Sequence, residues 1–407
     1  MKIQTDHGEV HVLTACPLLD STESFEFLTE IERADDGTEY RNILRPLPRQ
    51  YLSFSYIAMQ QALGDLFHML SANMRKLWGI PLVHLKKAMS DVVFDDFIAM
   101  DTSKNSSDYH LGHVLIRQSN VEDRVEQIIG VGRYIVTQQS IIDPVTQEVI
   151  EPEQVEYQDG YRLANAITTS NAFMMPLRIC ILLGDVDSSA WHNGMQTKLE
   201  FAVLAEDGPD FCEIVPTQYK NEDFYTAPLL LSGSSLEMNL SQHQTVVDGA
   251  IGGFTQYTDH DKPRYSKPMR CVMKSQNELI DFRKFLMRRF GRFRPFWLPL
   301  YERHLNIVST GMLSNWLDVG TNYVIEADRK HLAVKINDVW QAHEITNKVI
   351  NSGITRLTVS PALNVQRNQI QSVCYLALHR LDADRIEFAF LGVGISTTTI
   401  LMQEIST

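Results

Sequence analysis

Four segments of the chain occur twice in the same order, and this internal repeat restricts the fold more than any other feature of the sequence. The segments 26–56, 75–84, 93–116 and 179–206 resemble the segments 237–273, 294–303, 315–334 and 373–396. In the last pair, Cys180 falls opposite Cys374. One such match can arise by chance, whereas four in order, about 200 residues apart, indicate a tandem duplication. We therefore predict two domains, residues 1–212 and residues 213–407.

Strand-like segments dominate each repeat. Apolar and polar residues alternate in 197–206, 323–327 and 385–391, as expected for strands that bury one face. The sequence therefore predicts a mainly β chain with some α-helix, the α+β class, arranged as two tandem duplicated β-sandwich domains with one flanking helix each. A long loop is predicted over about 136–170 in the first domain.

One amphipathic helix is predicted in each repeat. Apolar residues at three- and four-residue steps place the first helix over about 60–77 and the second over about 276–290. Ser275 and Glu278 form a capping box before the second helix, and Gly291 is suited to end it. The predicted helix core residues are Leu63, Leu66, Phe67 and Leu70 in the first helix and Leu279, Phe282, Phe285 and Leu286 in the second.

The composition excludes several classes of protein. Hydrophobic residues make up 44% and charged residues 21% of the chain, which is typical of a globular protein and not of a disordered one. We expect neither a signal peptide nor a membrane span, because the sequence begins with no basic segment before an apolar run and nowhere approaches ~18 consecutive apolar residues. The 5 cysteines include no Cys-x-x-Cys pair, which favours a reducing cytoplasm over a disulfide framework or a zinc site.

Charge is distributed unevenly along the chain. The net charge of -13 argues against a general nucleic-acid-binding protein. Two basic regions interrupt the acidic chain: residues 262–303 hold twelve Lys and Arg against three acidic residues, and residues 45–87 hold six against Asp65 alone. A chain that carries both a basic and an acidic surface is suited to self-assembly.

The strongest local signal is the segment 282–305, in which aromatic and basic side chains are interleaved. One interpretation is a groove for single-stranded nucleic acid, where rings stack on bases and cations contact phosphates. The interpretation we favour is structural: the rings lie in the core, and the basic residues form an exposed face that binds an acidic surface of a neighbouring subunit. The residues of this predicted interface are Arg283, Lys284, Arg288, Arg289, Arg292 and Arg294.

Patterns that would indicate catalysis or metal binding are weak. His7 and His11 lie in an alternating segment, where helical ligand spacing has no meaning. Asp185 and Asp187 are not followed by a regular calcium-binding loop, and neither GxxxxGK[ST] nor GxSxG occurs. We therefore predict no catalytic residues, no cofactor and no metal site, and a protein that is not an enzyme.

Parts of both copies resemble tail proteins of long-tailed (siphovirus-type) bacteriophages. The segments that carry the resemblance are GTEYR (37–41), RPLPRQYLSFSY (45–56) and KLWGIPL (76–82) in the first copy, and PRYSKP (263–268) and ELIDFRKFLMRRFGRFRPFWLPLYERHL (278–305) in the second. A helix with the pattern FRxFLxxRxGR followed by an aromatic FWLP strand is similar to distal-tail and tail-tip ring proteins. The first copy departs from this pattern, since Leu66, Phe67, His68 and Met69 stand where the second copy has its basic helix.

The resemblance implies a tail-tube-like β-sandwich in each repeat and a structural role in the virion tail, after assembly in the host cytoplasm. It implies a ring around the DNA channel that joins the tail tube to the tail tip or baseplate. The implied partners are further copies of the chain, the tail tube protein and hub proteins of the tip or baseplate; genomic DNA only passes through, and no membrane insertion is implied. We favour six chains in the ring over three chains that each fill two of six places. No catalytic residues come with the resemblance.

Two alternative functions remain open at this stage. A carbohydrate- or receptor-binding module at the tail tip would use exposed aromatic residues, for which Trp191, Trp316 and Trp340 are candidates, together with the segments 136–170 and 207–235. A tail-associated hydrolase is the other alternative, although the sequence contains no recognisable catalytic constellation for it.

Overall fold

The computed structural model describes most of the chain. The described residues are 1–18, 21–34, 38–100, 102, 108–119, 121–138, 141–142, 149–151, 154–204, 216–226, 239–241, 244–250, 252–258, 264–301, 305–320, 329–351, 353–392 and 394–405. Within these ranges the protein is mainly β with two α-helices, which confirms the α+β class. The predicted domain boundary at 212/213 and most of the segment 207–235 lie outside the described residues. No helix in the described ranges is long and apolar enough to cross a membrane.

The N-terminal half, residues 1–204, alternates strongly in its longer strands. In the last strand, for example, Leu199 and Phe201 are buried whereas Lys198 and Glu200 are exposed, because successive side chains point to opposite faces. The elements are β1 (Lys2–Thr5), β2 (Gly8–Val12), β3 (Thr22–Arg33), β4 (Glu39–Met59), α1 (Gln61–Asn73), β5 (Leu77–Pro81), a 3-10 helix (Val83–Leu85), β6 (Lys87–Ala88), β7 (Val92–Ala99), β8 (His113–Gln118), β9 (Arg124–Gln138), β10 (Ile141–Ile142), β11 (Val149–Glu151), β12 (Gln154–Thr169), β13 (Ala172–Leu182), β14 (Asp187–Trp191) and β15 (Gly194–Val203).

The C-terminal half, residues 216–405, contains the second helix with one half of its predicted capping box, since the carboxylate of Glu278 accepts the backbone N–H of Lys274 at 2.8 Å and not that of Ser275. The hydroxyl of Ser275 accepts the backbone N–H of Glu278 at 3.2 Å, and Gly291 follows the helix with a φ of 67°. The elements are β16 (Gln218–Tyr219), β17 (Glu222–Phe224), β18 (Asn239–Ser241), β19 (Gln244–Asp248), β20 (Phe254–Thr258), β21 (Arg264–Met273), α2 (Gln276–Arg289), β22 (Phe296–Pro299), β23 (Asn306–Ile307), β24 (Met312–Leu313), β25 (Trp316–Gly320), β26 (His331–Ile336), β27 (Val339–Asn351), β28 (Ile354–Ser360), β29 (Val365–Gln366), a 3-10 helix (Arg367–Gln369), β30 (Ile370–Leu381), β31 (Arg385–Gly392) and β32 (Ile395–Glu404).

Strands pair in the same order in the two halves. In the N-terminal half the order is β1, β2, β5, β13, β15, β4 and β3, with β2 and β5 parallel and the other pairs antiparallel. In the C-terminal half it is β16, β17, β22, β30, β32, β21 and β18, with β17 and β22 parallel and the other pairs antiparallel. The helix follows β4 in the first half and β21 in the second.

The registers of the two halves also correspond. In β13, Leu177 lies opposite Pro81 and Leu182 lies opposite Phe201. In β30, Leu376 lies opposite Pro299 and Leu381 lies opposite Met402, with the same spacing. Cys180 therefore corresponds to His379, and the sequence alignment of Cys180 with Cys374 is wrong. The physical reason is that the two cysteines face different clusters: Cys180 packs with Trp78, whereas Cys374 packs with Trp297.

The two halves are joined by a continuous sheet and share one core. Strand β3 pairs antiparallel with β31, from Thr22 opposite Ala389 to Glu26 opposite Arg385. The shared core contains both helices and side chains from both halves; Phe25 lies edge-on to Phe388 with ring centroids 6.3 Å apart. Two further clusters lie within single halves, around Tyr161 in the first and Leu357 in the second.

Three predicted features of the N-terminal half are corrected by the structure. Helix α1 spans Gln61–Asn73 and not 60–77, since Leu77 begins β5. On α1, Leu66 and Leu70 are buried and Leu63 is partly buried, but Phe67 is 63% exposed, so it is not a core residue. The predicted loop over 136–170 is wrong as well, because β9 and β12 pair along a long antiparallel hairpin that includes Gln138 opposite Gln154.

Candidate functional site

The basic residues predicted to form an exposed interface lie where the two halves meet. The prediction of exposure is wrong, because Arg283 of α2 extends into the N-terminal half and the three arginines of the helix contact carboxylates of the same chain. The four helix core residues predicted for α2 are all buried, as expected. The predicted interface residues divide into Arg283, Lys284 and Arg289, which are buried, and Arg288, Arg292 and Arg294, which are partly buried.

Arg283 extends from α2 into the N-terminal half. Its guanidinium donates to the carboxylate of Asp108 at 3.2 and 3.3 Å and lies 3.4 Å from Glu23 Oε1. Arg178 of β13 donates to the same Asp108 carboxylate at 3.2 Å. All four side chains are at most 5% exposed. Two buried carboxylates are thus balanced by two buried guanidinium groups, one from each half.

The charge on Glu23 depends on this arrangement. Burial raises the pKa of Glu23, but Arg283 and His84 outweigh burial and, with a hydrogen bond from Gln50, lower it to about 2. His84 Nε2 lies 3.2 Å from Glu23 Oε2. Because the folded-state pKa is lowered from 4.5, Glu23 contributes stability that is present above pH 4.5 and is lost as the pH falls towards 2.

Asp223 of β17 receives two guanidinium groups from the last turn of α2. Arg288 donates to its carboxylate at 2.7 and 3.3 Å, and Arg289 pairs with it as well. Arg289 also donates to the carbonyl of Pro295 at 2.7 Å and lies 4.8 Å from the ring of Phe285. These contacts fix the end of α2 within the chain, so two of the arginines predicted to bind a neighbouring subunit pair with Asp223 of the same chain instead.

Replacing Asp223 by Ala is expected to lower the free energy of unfolding by about 3 kcal/mol, because Arg289, which is 1% exposed, loses its buried carboxylate. Urea unfolding followed by circular dichroism measures this loss. The matched control is Asp338→Ala, which removes a carboxylate that is 78% exposed and paired with Lys335; stability should be nearly unchanged. Equal effects of the two substitutions would contradict the role of Asp223.

Reversing Arg288 and Arg289 to Glu would disturb folding as well, because the carboxylate of Asp223 would lose both of its guanidinium partners.

The distal part of the β3–β4 hairpin, residues 27–33 and 39–45, crosses onto the C-terminal half; we call it the N-arm. Thr29 donates its backbone N–H and its hydroxyl to the carboxylate of Asp384 at 2.9 and 2.7 Å. The carbonyl of Thr29 accepts the guanidinium of Arg292 at 2.7 Å. One residue of the N-arm is therefore bound through three of its polar groups by the other half.

A buried ion pair lies under the N-arm. Glu39 accepts two hydrogen bonds from the guanidinium of Arg380, at 2.7 and 3.0 Å, and Arg380 is fully buried. Burial raises the pKa of Glu39, but the hydrogen bonds and charge of Arg380 outweigh burial and lower it. Further along the arm, Arg41 donates to the carbonyl of Phe293 at 2.9 Å. The N-arm thus closes over β30 of the C-terminal half.

An open cleft of about 550 Å³ lies beside the N-arm and the end of α2. Its lining combines rings with side chains of both charges, an arrangement that complements another protein surface better than a single charged small molecule. The charged residues of the lining are Glu39, Glu222, Asp223, Arg41, Arg288, Arg289 and Arg294.

The other candidate residues lie apart from this junction. Trp316 lies 4.1 Å from the guanidinium of Arg356, and Trp340 packs edge-on against Tyr301. Trp191 is 45% exposed and stands at the end of β14. In the part of the chain that the structure describes, no three His, Cys, Asp or Glu side chains are grouped to hold a metal ion.

Comparison with known proteins gives no family. No family model matches the chain, and no curated protein matches it either. The geometry of the junction and the residues of the chain itself are therefore the basis for a function. The carboxylates of this junction were not recognised from the sequence; they are Glu23, Glu39, Asp108, Asp223 and Asp384.

Proposed function

We propose that this protein is a structural component of a bacteriophage tail, a ring around the DNA channel that joins the tail tube to the tail tip or baseplate. In this proposal the chain contains two duplicated tail-tube-like β-sandwich domains. The observation that carries it is the head-to-tail union of two halves with the same strand order, made by β3 on β31 and by the N-arm. A unit that joins its own copy head to tail forms rings or filaments when the contact is repeated.

The partners follow from this role. Further copies of the chain complete the ring, and its two faces meet the tail tube protein on one side and the hub proteins of the tip or baseplate on the other. The mixed charges of the cleft beside the N-arm suit contacts with such proteins. A net charge of -13 is compatible with a channel through which DNA passes without being retained.

Purified full-length protein, alone or with tail tube protein, is expected to form rings with a central hole in negative-stain images. Native mass measurement then distinguishes three from six chains of 46.5 kDa. Compact monomers at every concentration, with and without the tube protein, would contradict the proposal. A monomeric heterologous protein of similar size, imaged under the same conditions, controls for aggregation on the grid.

A receptor- or carbohydrate-binding module at the tail tip is the second candidate, and the exposure of Trp191 favours it. An exposed indole offers a flat apolar face on which a sugar ring can stack. In that case the protein would stay monomeric and bind glycans in an array, and Trp191→Ala would abolish the binding.

A further inference from the structure

The C-terminal half has its own version of the N-arm. The hairpin of β19 and β20, residues 244–250 and 252–258, is called the C-arm. Its register repeats that of the N-arm 215 positions later, and five residues separate the paired strands in each arm. The corresponding pairs are Thr29 opposite Ile43 and Arg33 opposite Glu39 in the N-arm, and Gln244 opposite Thr258 and Asp248 opposite Phe254 in the C-arm.

The strands beneath the two arms correspond in the same way. Phe25 lies opposite Gln50 in the N-terminal half, and Leu240 lies opposite Tyr265 in the C-terminal half, again 215 positions later. Strand β18 is therefore the counterpart of β3. Strand β14 pairs with β15 as β31 pairs with β32, and β15 and β32 are themselves counterparts. Strand β14 is therefore the counterpart of β31.

These counterparts differ in how their edges are used. Strand β3 pairs with β4 on one edge and with β31 on the other. Among the described residues, β18 pairs with β21 alone and β14 pairs with β15 alone. The junction within the chain joins the outer edge of β3 to β31. The corresponding edges, on β18 in the C-terminal half and on β14 in the N-terminal half, are unpaired among the described residues.

Side chains at the matching positions are apolar and exposed. Phe254 corresponds to Glu39 and is 75% exposed. Ile181 corresponds to Arg380, because Leu182 and Leu381 correspond, and it is 42% exposed. The ion pair that the N-arm buries on β30 therefore has an apolar counterpart, whose two members are both left open to solvent.

Helix α1 shows the same difference. In α2, Phe282 is 1% exposed, and its ring lies edge-on to Phe388 of β31. In α1, Phe67 is 63% exposed, and Met74 at the end of the helix is 40% exposed. The outer face of α1 thus exposes two large apolar side chains beside polar ones, a mixture that suits contact with another protein surface.

We propose that the contact between neighbouring chains repeats the contact between the two halves of one chain. The C-arm of one copy covers β13 of the next copy, so that Phe254 packs on Ile181. Strand β18 of the first copy pairs with the start of β14 and the residue before it in the second, with Leu240 opposite Val186, as Phe25 lies opposite Ile386 within the chain. The inference rests on the proposed function, since it supplies the contact that makes the ring.

One arm forms an ionic pair, Glu39 with Arg380, and the other an apolar pair, Phe254 with Ile181. This difference explains why each arm binds to only one of the two halves. Placing Phe254 over Arg380 would leave a buried guanidinium without its carboxylate, and placing Glu39 over Ile181 would bury a carboxylate against an apolar surface. Each exchange is unfavourable, so the arms do not compete for the same half. The occupant of the open surface on the N-terminal half is therefore a second copy of this chain.

Exchanging the residues of the intermolecular pair tests the proposal. Phe254→Glu and Ile181→Arg are each expected to raise the concentration needed for assembly at least tenfold, because each removes the apolar contact. The double variant, which reproduces the Glu39–Arg380 pair between chains, is expected to recover most of the assembly. Sedimentation velocity over a range of concentrations measures this. Val339→Glu, at a position that is 60% exposed and outside the junction, is the matched control.

Disulfide trapping tests the strand register. Directly opposite residues of antiparallel strands lie about 5 Å apart between Cα atoms, within reach of a disulfide, whereas a shift of three residues adds ~10 Å. In a background with Cys16→Ser, at an exposed cysteine, and Cys212→Ser, at a cysteine outside the described residues, a Leu240→Cys chain mixed with a Val186→Cys chain should form a covalent dimer on oxidation. Ser189→Cys in place of Val186→Cys should not.

The outcomes separate this inference from the proposed function. If the wild-type chain assembles but the single variants assemble equally well, or Leu240→Cys fails to cross-link with Val186→Cys, only the repeated junction is overturned. If the wild-type chain stays monomeric at every concentration and with the tube protein, the proposed ring fails and the inference fails with it.

Discussion

Replacing Arg283 by Met is expected to lower the free energy of unfolding by about 3 to 5 kcal/mol, the range found when one partner of a buried ion pair is removed. The long apolar side chain of Met fills most of the space but leaves the carboxylate of Glu23, which is fully buried, without the guanidinium 3.4 Å away. Asp108 loses one of its two arginines and keeps Arg178. Urea unfolding at pH 7 is the measurement.

Two controls show that the loss comes from the buried charge. Arg385→Met removes an arginine that is 60% exposed and 3.6 Å from Glu387, and it should leave stability nearly unchanged. The double variant Arg283→Met with Glu23→Gln should recover part of the loss, because the unpaired carboxylate is then absent. A loss in the double variant as large as in Arg283→Met would show that packing, and not charge, explains the effect.

The loss of stability caused by Arg283→Met should depend on pH in a defined direction. Without Arg283, Glu23 loses the charge that acts most strongly against burial, so its pKa rises above about 2. In the variant, Glu23 therefore takes up a proton at a higher pH. Burying the neutral carboxyl group is less unfavourable than burying the unpaired carboxylate. The difference in stability between the native chain and the variant should be largest at pH 7 and should narrow as the pH falls below 4.5.

Local features of the fold were predictable because their causes are local. The cap of α2 depends on Ser275 and Glu278, which are three residues apart, and the helix ends at Arg289, just before Phe290 and Gly291, which both have positive φ. Strand alternation in β15 and β31 is likewise visible in a few consecutive residues. The α+β class follows from such features.

The partners of the basic residues were not predictable in the same way. Helical periodicity shows which face of α2 is apolar, but it does not show that a second surface covers the opposite face. Asp108 is 175 residues from Arg283, and Glu23 is 260 residues away. One signal was available for Glu23, since in the sequence it alternates with Phe25 and Phe27 and so belongs to the buried face of β3.

Phe67 and the segment 136–170 show two further limits. Phe67 lies on the apolar side of α1 by spacing, yet 63% of it is exposed, because helical spacing alone does not show which apolar residues a neighbouring surface covers. The polar residues after Val136 suggested a loop, whereas pairing of β9 with β12 continues to Gln138 opposite Gln154. Backbone pairing across a hairpin tolerates polar side chains that the sequence pattern assigned to a loop.

A fragment of residues 1–204 is expected to show no cooperative unfolding transition, although it contains one complete repeat. The shared core is built from both halves, and removing the C-terminal half exposes Phe25 and leaves Glu23 without Arg283. The N-arm would also lose its contacts with Asp384 and Arg380. Thermal unfolding followed by circular dichroism measures cooperativity, with the full-length chain as the reference.

Mixing the fragment with residues 216–405 is expected to restore a cooperative transition, because the sheet joined by β3 and β31, the buried ion pairs and the core do not depend on a covalent connection. A full-length chain cut at a protease site placed within 206–213 should stay together and unfold as one unit. A cooperative transition in the isolated 1–204 fragment would mean that each half is stable alone. The junction would then be an interface between independent domains, and the continuous core would not be needed for folding.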